Sequence, residues 1–363
     1  MKLCVISLGG ESSKLIAKEA ENFFDSVTEI GLKNIELLLG DKGLVVKDHE
    51  GELSDYDAIY VRGSHRYILL QRALTRALYK KVYMPIRPNA FTLGHNKLLG
   101  SLELQQKGIN IPTSYFVANA KQAKKLLGEI NFPIIIKIPE GTQGKGVMFA
   151  DSESSARSMI DALDVFKQPY IIQEYIETGE VKSEDIRVIV AGGKVVGAMK
   201  RVSHSTDVRA NIHADGKGEI MTLNPETEKM SVKAARALGV DIAAIDILQG
   251  RKASVIEVNL SPGLKGIMKY TGKNIAREVA KALYDKAVEF KKKKELGGNK
   301  KVVSDENGFD EQYIESHIDK GSLCLPKFIT KGVGFVNGDD LVVKLKKGEM
   351  RITKHNIRKE EED

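Results

Sequence analysis

Glu257 and Asn259 stand two residues apart near the end of a strand-like run, just ahead of Ser261-Pro262-Gly263. On a strand, residues at that spacing share a face, so a carboxylate and a carboxamide project together. Asp246 lies eleven residues upstream in another apolar run, residues 242–248, and Gln249-Gly250-Arg251 between them reads as a turn. If the two runs pair as a hairpin, three hard oxygen donors converge, a set that suits Mg²⁺ beside phosphate. Taken alone, a Glu-x-Asn pair is more simply the solvated face of a strand. Other residues tip the balance.

Lys137 falls inside the apolar strand signal of residues 133–138, where an unpaired ammonium is costly to bury and an anion is expected to meet it. Gly141, Gly144 and Gly146 follow at once and allow a backbone loop whose N–H groups can cover phosphate oxygens. The spacing is neither that of a Walker A loop nor that of the dinucleotide fingerprint. At 171–176 an apolar strand ends in Glu174 and Tyr175, where strand-edge backbone groups can pair with an adenine. Asp185 and Arg187 flank Ile186, and Lys200-Arg201 leads on to Arg209-Ala210-Asn211. Guanidinium groups in such a cluster can hold a transferring phosphoryl group or a substrate carboxylate in bidentate fashion. No nucleophile elbow or kinase signature occurs, and the histidines show no metal-site spacing.

The elements that must position these groups follow from periodicity. Strand and helix signals alternate through the first third, with strands at 3–8 and 58–61 and helices at 12–24, 67–80 and 96–107, which predicts an α/β layer. Residues 113–290 give strands at 133–138, 147–150, 170–175, 186–191, 194–199 and 242–248, with helices at 228–238 and 275–292, an α+β pattern with antiparallel sheets. Residues 291–308, rich in Lys, Gly, Asn, Asp and Ser, read as a linker. Residues 309–363 read as a small β module. The 363 residues carry a formal charge of +7, and no run approaches the ~18 uncharged apolar residues of a membrane span. A soluble, cytoplasmic protein with an acidic partner is expected, with nucleic acid not the first choice. Cys4 and Cys324 read as buried, reduced thiols.

In order along the chain, Asn96-Lys97-Leu98, the run from Ile136 to Gly144, Gln173-Glu174-Tyr175-Ile176, Asp185-Ile186-Arg187, Arg209-Ala210-Asn211, Asp246-Ile247-Leu248 and the run from Glu257 to Gly263 resemble the RimK-type ligases of the ATP-grasp superfamily. The resemblance spans residues 1–290. It implies an ATP-grasp fold: an N-terminal domain over 1–95 and an ATP-grasp domain over 96–290, with a lid at 113–175 and a core at 176–290. It further implies that Lys97 and Lys137 contact nucleotide phosphates, that the loop of Gly141, Gly144 and Gly146 covers them, that Glu174 and Tyr175 meet adenine, and that Asp185 holds the ribose. Arg209, Ala210 and Asn211 would face the terminal phosphate, with Arg209, Asn211 and Lys137 acting in catalysis. Asp246, Glu257 and Asn259 would bind two Mg²⁺ (or Mn²⁺) ions, while Arg187, Arg201, Ser261 and Gly263 would meet substrate.

The reaction implied is ATP-dependent ligation of a carboxylate to an amine through an acylphosphate, most often with glutamate as the amine and an acidic protein C-terminus or coenzyme as acceptor. Lys265 stands where the group usually has Glu, and residues 202–208 are less charged than the equivalent loop, which leaves the acceptor open. The C-terminal module weakly resembles an AbrB-type swapped hairpin, from which a homo-oligomer is expected. The same resemblance supplies an alternative function, a nucleotide-sensing DNA-binding regulator.

Overall fold

The computed structural model describes residues 1–41, 43–49, 51–141, 145–178, 184–202, 217–298, 317–319, 322–324, 341–346 and 349–354. It divides into two units, Met1–Lys294 and Glu295–Asp363.

The first unit opens with β1 (Lys2–Ser7), α1 (Glu11–Ala20) and β2 (Ser26–Gly31), then a hairpin of β3 (Glu36–Gly40) and β4 (Gly43–Lys47), and β5 (Ala58–Val61). A parallel sheet of order β2-β1-β5 forms, with the residues Leu3 to Ile6 fully buried. Continuous apolar runs are what such strands require when both faces are covered. The β3–β4 hairpin and β2 lie outside the strands read from periodicity; β3 and β4 are largely exposed, so no burial alternation marks them. Helices α2 (Ile68–Leu78), α3 (Ala90–His95) and α4 (Lys97–Gln106) follow. Asn96 ends α3 and caps α4, its side chain accepting from Leu99 N at 3.1 Å, and so sets where Lys97 begins its helix.

Next come β6 (Ser114–Tyr115), α5 (Ala120–Leu127), β7 (Ile134–Lys137), β8 (Val147–Ala150), α6 (Glu153–Val165) and β9 (Ile171–Glu174), which make an antiparallel sheet of order β6-β9-β7-β8. This part has an apolar core of its own, built around Leu127, Ile134, Ile136, Ile160 and Ile172. The remaining elements of the unit are β10 (Glu184–Ala191), β11 (Lys194–Val202), β12 (Lys217–Ile220), α7 (Pro225–Leu238), β13 (Ile242–Gln249), β14 (Ala253–Asn259), α8 (Lys265–Thr271) and α9 (Ile275–Gly298). Their sheet has the order β12-β11-β10-β13-β14 and shares one continuous core with the N-terminal parallel sheet.

The β13–β14 hairpin carries an irregularity that decides the site. Ile247 faces Val255, whereas Asp246 faces Glu257, so Ile256 is an extra residue on its strand. In a regular ladder Asp246 would face Ile256, and Glu257 would project from the opposite side of the sheet. The bulge brings the two carboxylates onto one face, with Asn259 opposite Ala244 two positions along.

Residues 291–298 of the expected linker continue helix α9, and residues 299–308 lie outside the described residues. Lys293 pairs with Glu289 one turn back, Lys291 reaches Asp57 at 3.3 Å, and Lys294 donates to the Lys81 carbonyl at 3.0 Å. A lysine-rich stretch that composition marks as solvated is held as helix by i,i+4 pairs and docking. In the second unit, β15 (His317–Asp319) pairs with β16 (Ser322–Cys324), and β17 (Leu341–Lys346) pairs with β18 (Glu349–Lys354). Cys4 is buried in β1.

Candidate active site

Asp246 is 3 % exposed and both its oxygens are engaged. Arg187 donates through Nε at 2.8 Å and Nη2 at 2.7 Å, and Arg201 Nη2 lies 3.2 Å away. Burial alone would raise this carboxyl, but the two guanidinium groups outweigh it and bring it down to about 2. Arg201 also grips Asp185 in bidentate fashion, its Nε 2.6 Å from Oδ1. These four groups face one another across three neighbouring strands, Arg187 opposite Asp246 and Asp185 opposite Arg201. Among the described residues no arginine hydrogen-bonds Glu257; burial first, and then the Asp246 charge, hold its carboxyl above the ordinary value against Lys97, Arg187 and Lys137. Asn259 Oδ1 accepts from Ser261 N at 3.2 Å.

Opposite this corner lie the two lysines. Lys137, 6 % exposed on β7, donates to Gln173 Oε1 at 2.9 Å, and Gln173 Nε2 in turn donates to Ser114 Oγ at 2.7 Å. Burial, aided by the Lys97 charge and opposed by Glu257, pushes the Lys137 ammonium down to about 8. Burial also lowers Lys97, with Glu257 opposing. Lys97 Nζ donates to the Gly141 carbonyl at 2.8 Å, and its backbone N–H to that of Pro139 at 2.9 Å, which ties the start of α4 to the glycine loop.

That loop closes where Ile138 N donates to the Gly146 carbonyl at 3.0 Å. Gly146 has φ +79°, and a Cβ there would meet Ile138 Cγ1 at 2.5 Å. Gly146→Ala is therefore expected to cost about 1–2 kcal/mol of stability through the left-handed backbone and the crowding of Ile138. Chemical denaturation of the two proteins side by side checks this.

The other expected contacts fall as follows. Glu174 exchanges backbone and side-chain bonds with Thr113, its Oε1 accepting from Thr113 N at 2.8 Å, and Tyr175 sets its ring edge-on to Phe149 at 5.3 Å. Arg187 and Arg201, expected to meet substrate, are held by carboxylates instead of standing open. Ser261 Oγ accepts from Gly63 N at 3.1 Å, and Arg62 Nη2 donates to the Pro262 carbonyl at 2.8 Å, so this turn is anchored to the end of β5. A Cβ on Gly263 would meet nothing within 4 Å, so that position borders open space. Gly144, Arg209, Ala210 and Asn211 lie outside the described residues.

Sequence reasoning missed Gln173 as a site residue, together with Ser114 and Arg62. A signal for Gln173 existed: a lysine buried in one strand needs a polar partner on the same face of the next, and Gln173 occupies that face. Arg62 had none, because two of its partners, Ser13 and Pro262, come from distant parts of the chain.

The donor set fits a hard cation. Two carboxylates and a carboxamide, without histidine or thiolate, match oxygen-seeking Mg²⁺, which keeps positions for water and phosphate instead of a closed protein cage.

The family model of the RimK-like ATP-grasp domain matches residues 94–283, more than half of the chain. The chain belongs to the RimK-like ATP-grasp family. A probable alpha-L-glutamate ligase of Marinobacter nauticus is 31% identical over 281 residues, which cover 76% of this chain and 93% of that protein. A probable alpha-L-glutamate ligase of Syntrophotalea carbinolica is 36% identical over 231 residues, 63% of this chain and 76% of the relative. Among solved structures, the ATP-grasp ligase PsnB, complexed with a precursor variant, Mg and ADP, superposes with a TM-score of 0.62 at 18% identity, covering 79% of this chain and 98% of PsnB. D-alanine–D-alanine ligase of Bacillus anthracis, complexed with ATP, gives 0.55 at 16% identity, with 81% and 99% covered. This RimK-like protein thus has the ATP-grasp fold and is an ATP-dependent ligase of a carboxylate and an amine. Among the described residues, no helix is long and apolar enough to cross a membrane.

Proposed function

We propose that this ligase adds L-glutamate to an acidic acceptor, a protein C-terminus or a coenzyme carboxylate, at the expense of ATP. The observation that carries the reading is the facing of a buried lysine, Lys137, and a half-buried one, Lys97, by the Asp246–Glu257 carboxylate corner. In it, Lys97 and Lys137 hold the nucleotide phosphates, and the backbone of the glycine loop covers them. Residues 113–175, which own a separate apolar core, act as the lid. Glu174 and Tyr175 lie along the adenine. Asp246, Glu257 and Asn259 would hold two Mg²⁺ ions, whose positive charge would offset that of the phosphates during in-line attack.

The chain's own part in the reaction is positioning and charge balance. The acceptor carboxylate takes the terminal phosphoryl group, the glutamate amine then displaces phosphate, and an amide bond forms. The curated relatives' description as probable glutamate ligases supports glutamate as the amine.

Phosphate release with ATP, Mg²⁺ and candidate acceptors is expected to rise at least several-fold on adding glutamate, and the product to gain the mass of one or more glutamyl residues. Stimulation by another amino acid alone would reject glutamate while keeping the ligase. Absence of stimulation by every amine and acceptor, together with site-preferring binding to duplex DNA, would favour a regulatory role instead.

A further inference from the structure

Asp246 is the central donor of the proposed metal corner, yet two N–H groups of Arg187 already bond it and Arg201 Nη2 pairs with it at 3.2 Å. Arg201 straddles Asp246 and Asp185, and Arg187 closes the other side. Around the corner, four cationic side chains, Arg187, Arg201, Lys97 and Lys137, face three carboxylates, Asp185, Asp246 and Glu257. Among the described residues, these seven groups sum to one excess positive charge when all are ionised. A divalent cation arriving alone meets repulsion and a carboxylate both of whose oxygens already face guanidinium groups. A nucleotide polyphosphate reverses both conditions, since it supplies negative charge and competing acceptors for the guanidinium groups.

We infer that Arg187 and Arg201 compete with metal for Asp246, so that the site admits free cation poorly and opens fully when phosphate draws the arginines away. This rests on the assignment of Asp246 as a metal ligand in the proposed function. Arg201 is the latch, because it alone binds both carboxylates and can keep Asp185 while releasing Asp246. Both arginines are then positioning residues that act through Asp246, and metal entry is coupled to nucleotide entry by exchange of guanidinium partners.

Mn²⁺ binding, followed by the electron paramagnetic resonance signal of the free ion, tests this without turnover. The wild type is expected to show weak Mn²⁺ binding alone and at least tenfold tighter binding with a non-hydrolysable ATP analogue. Arg201→Gln removes one repelling charge from beside Asp246, and is expected to bind Mn²⁺ about tenfold more tightly than the wild type without nucleotide. Adding Asp246→Asn to that variant is expected to abolish the gain.

If the analogue fails to bring Mn²⁺ into the wild type, the nucleotide-site reading falls. If it succeeds, but the wild type without nucleotide binds Mn²⁺ as tightly as Arg201→Gln, the competition alone falls. Circular dichroism verifies the fold of each variant. Should Arg201→Gln not fold, Arg187→Gln, which leaves the Arg201–Asp185 pair whole, carries the same expectation and the same refutation.

Discussion

Lys137→Met is expected to make a protein that resists denaturation slightly better and binds ATP roughly a hundredfold more weakly. The ammonium sits at about 8 because burial and Lys97 disfavour its charge, against an ordinary value of 10.5. A depression of that size means that carrying the charge costs the folded protein about 3 kcal/mol at neutral pH. Methionine fills similar space without the charge, while Gln173 Oε1 loses its donor, which returns about 1–2 kcal/mol. A net gain of about 1 kcal/mol remains. The affinity falls because a charge-assisted bond to phosphate in a water-excluded site is worth about 3 kcal/mol.

The pH dependence has a definite sign. Between about 8 and 10.5 the unfolded chain keeps a proton on Lys137 that the folded chain has released. The unfolded state therefore binds more protons, and the contribution of Lys137 to stability rises with pH across that window. Urea denaturation at both ends of the window is expected to show the variant's advantage vanish and reverse as pH rises. A constant difference would contradict the lowered proton affinity of Lys137, and unchanged ATP affinity by calorimetry would remove it from the phosphate site.

Glu257→Gln and Asp246→Asn are expected to abolish turnover alike, each by a factor of about a thousand or more, yet to move stability in opposite directions. Asp246 neutralises two buried guanidinium groups, and its loss leaves them underpaired at a cost of about 3–5 kcal/mol. Glu257 is held above its ordinary value by burial and by Asp246, so the folded state binds a proton more readily than the unfolded one. Its contribution to stability is full below the unfolded value and is lost as pH rises through the folded one, so at neutral pH Gln is expected to be neutral or slightly stabilising. Phosphate release paired with thermal denaturation separates the two. Full activity in either variant would contradict the assignment of that ligand, and equal destabilisation in both would contradict the arginine pairing.

Much of the site was legible because its chemistry contradicts its setting. A lysine in an apolar strand and a carboxylate in an apolar hairpin are costly unless something meets them, so Lys137 and Asp246 stood out before any fold was known. Helix α4 was readable from its helical signal over 96–107, and β1, β5, β8 and β13 from their apolar runs. The β3–β4 hairpin was not readable, because exposed leucines on both of its faces give neither strand alternation nor a buried run. The extension of α9 through Lys291–Lys294 was hidden for a related reason: composition reports solvation, while docking against Asp57 and Lys81 is a contact between residues more than two hundred positions apart.

The sequence by itself determined which groups could do the chemistry, because residue type and the strand period of two are local properties: Glu257 and Asn259 had to share a face. Tertiary structure decided how they meet. A single extra residue, Ile256, turns Glu257 to the side of Asp246, and no periodicity can announce a bulge that exists only in the pairing of two strands. Tertiary structure also decided that Arg187 and Arg201 answer Asp246 and Asp185. That pairing depends on strand order and register, which place guanidinium and carboxylate face to face from segments up to sixty residues apart.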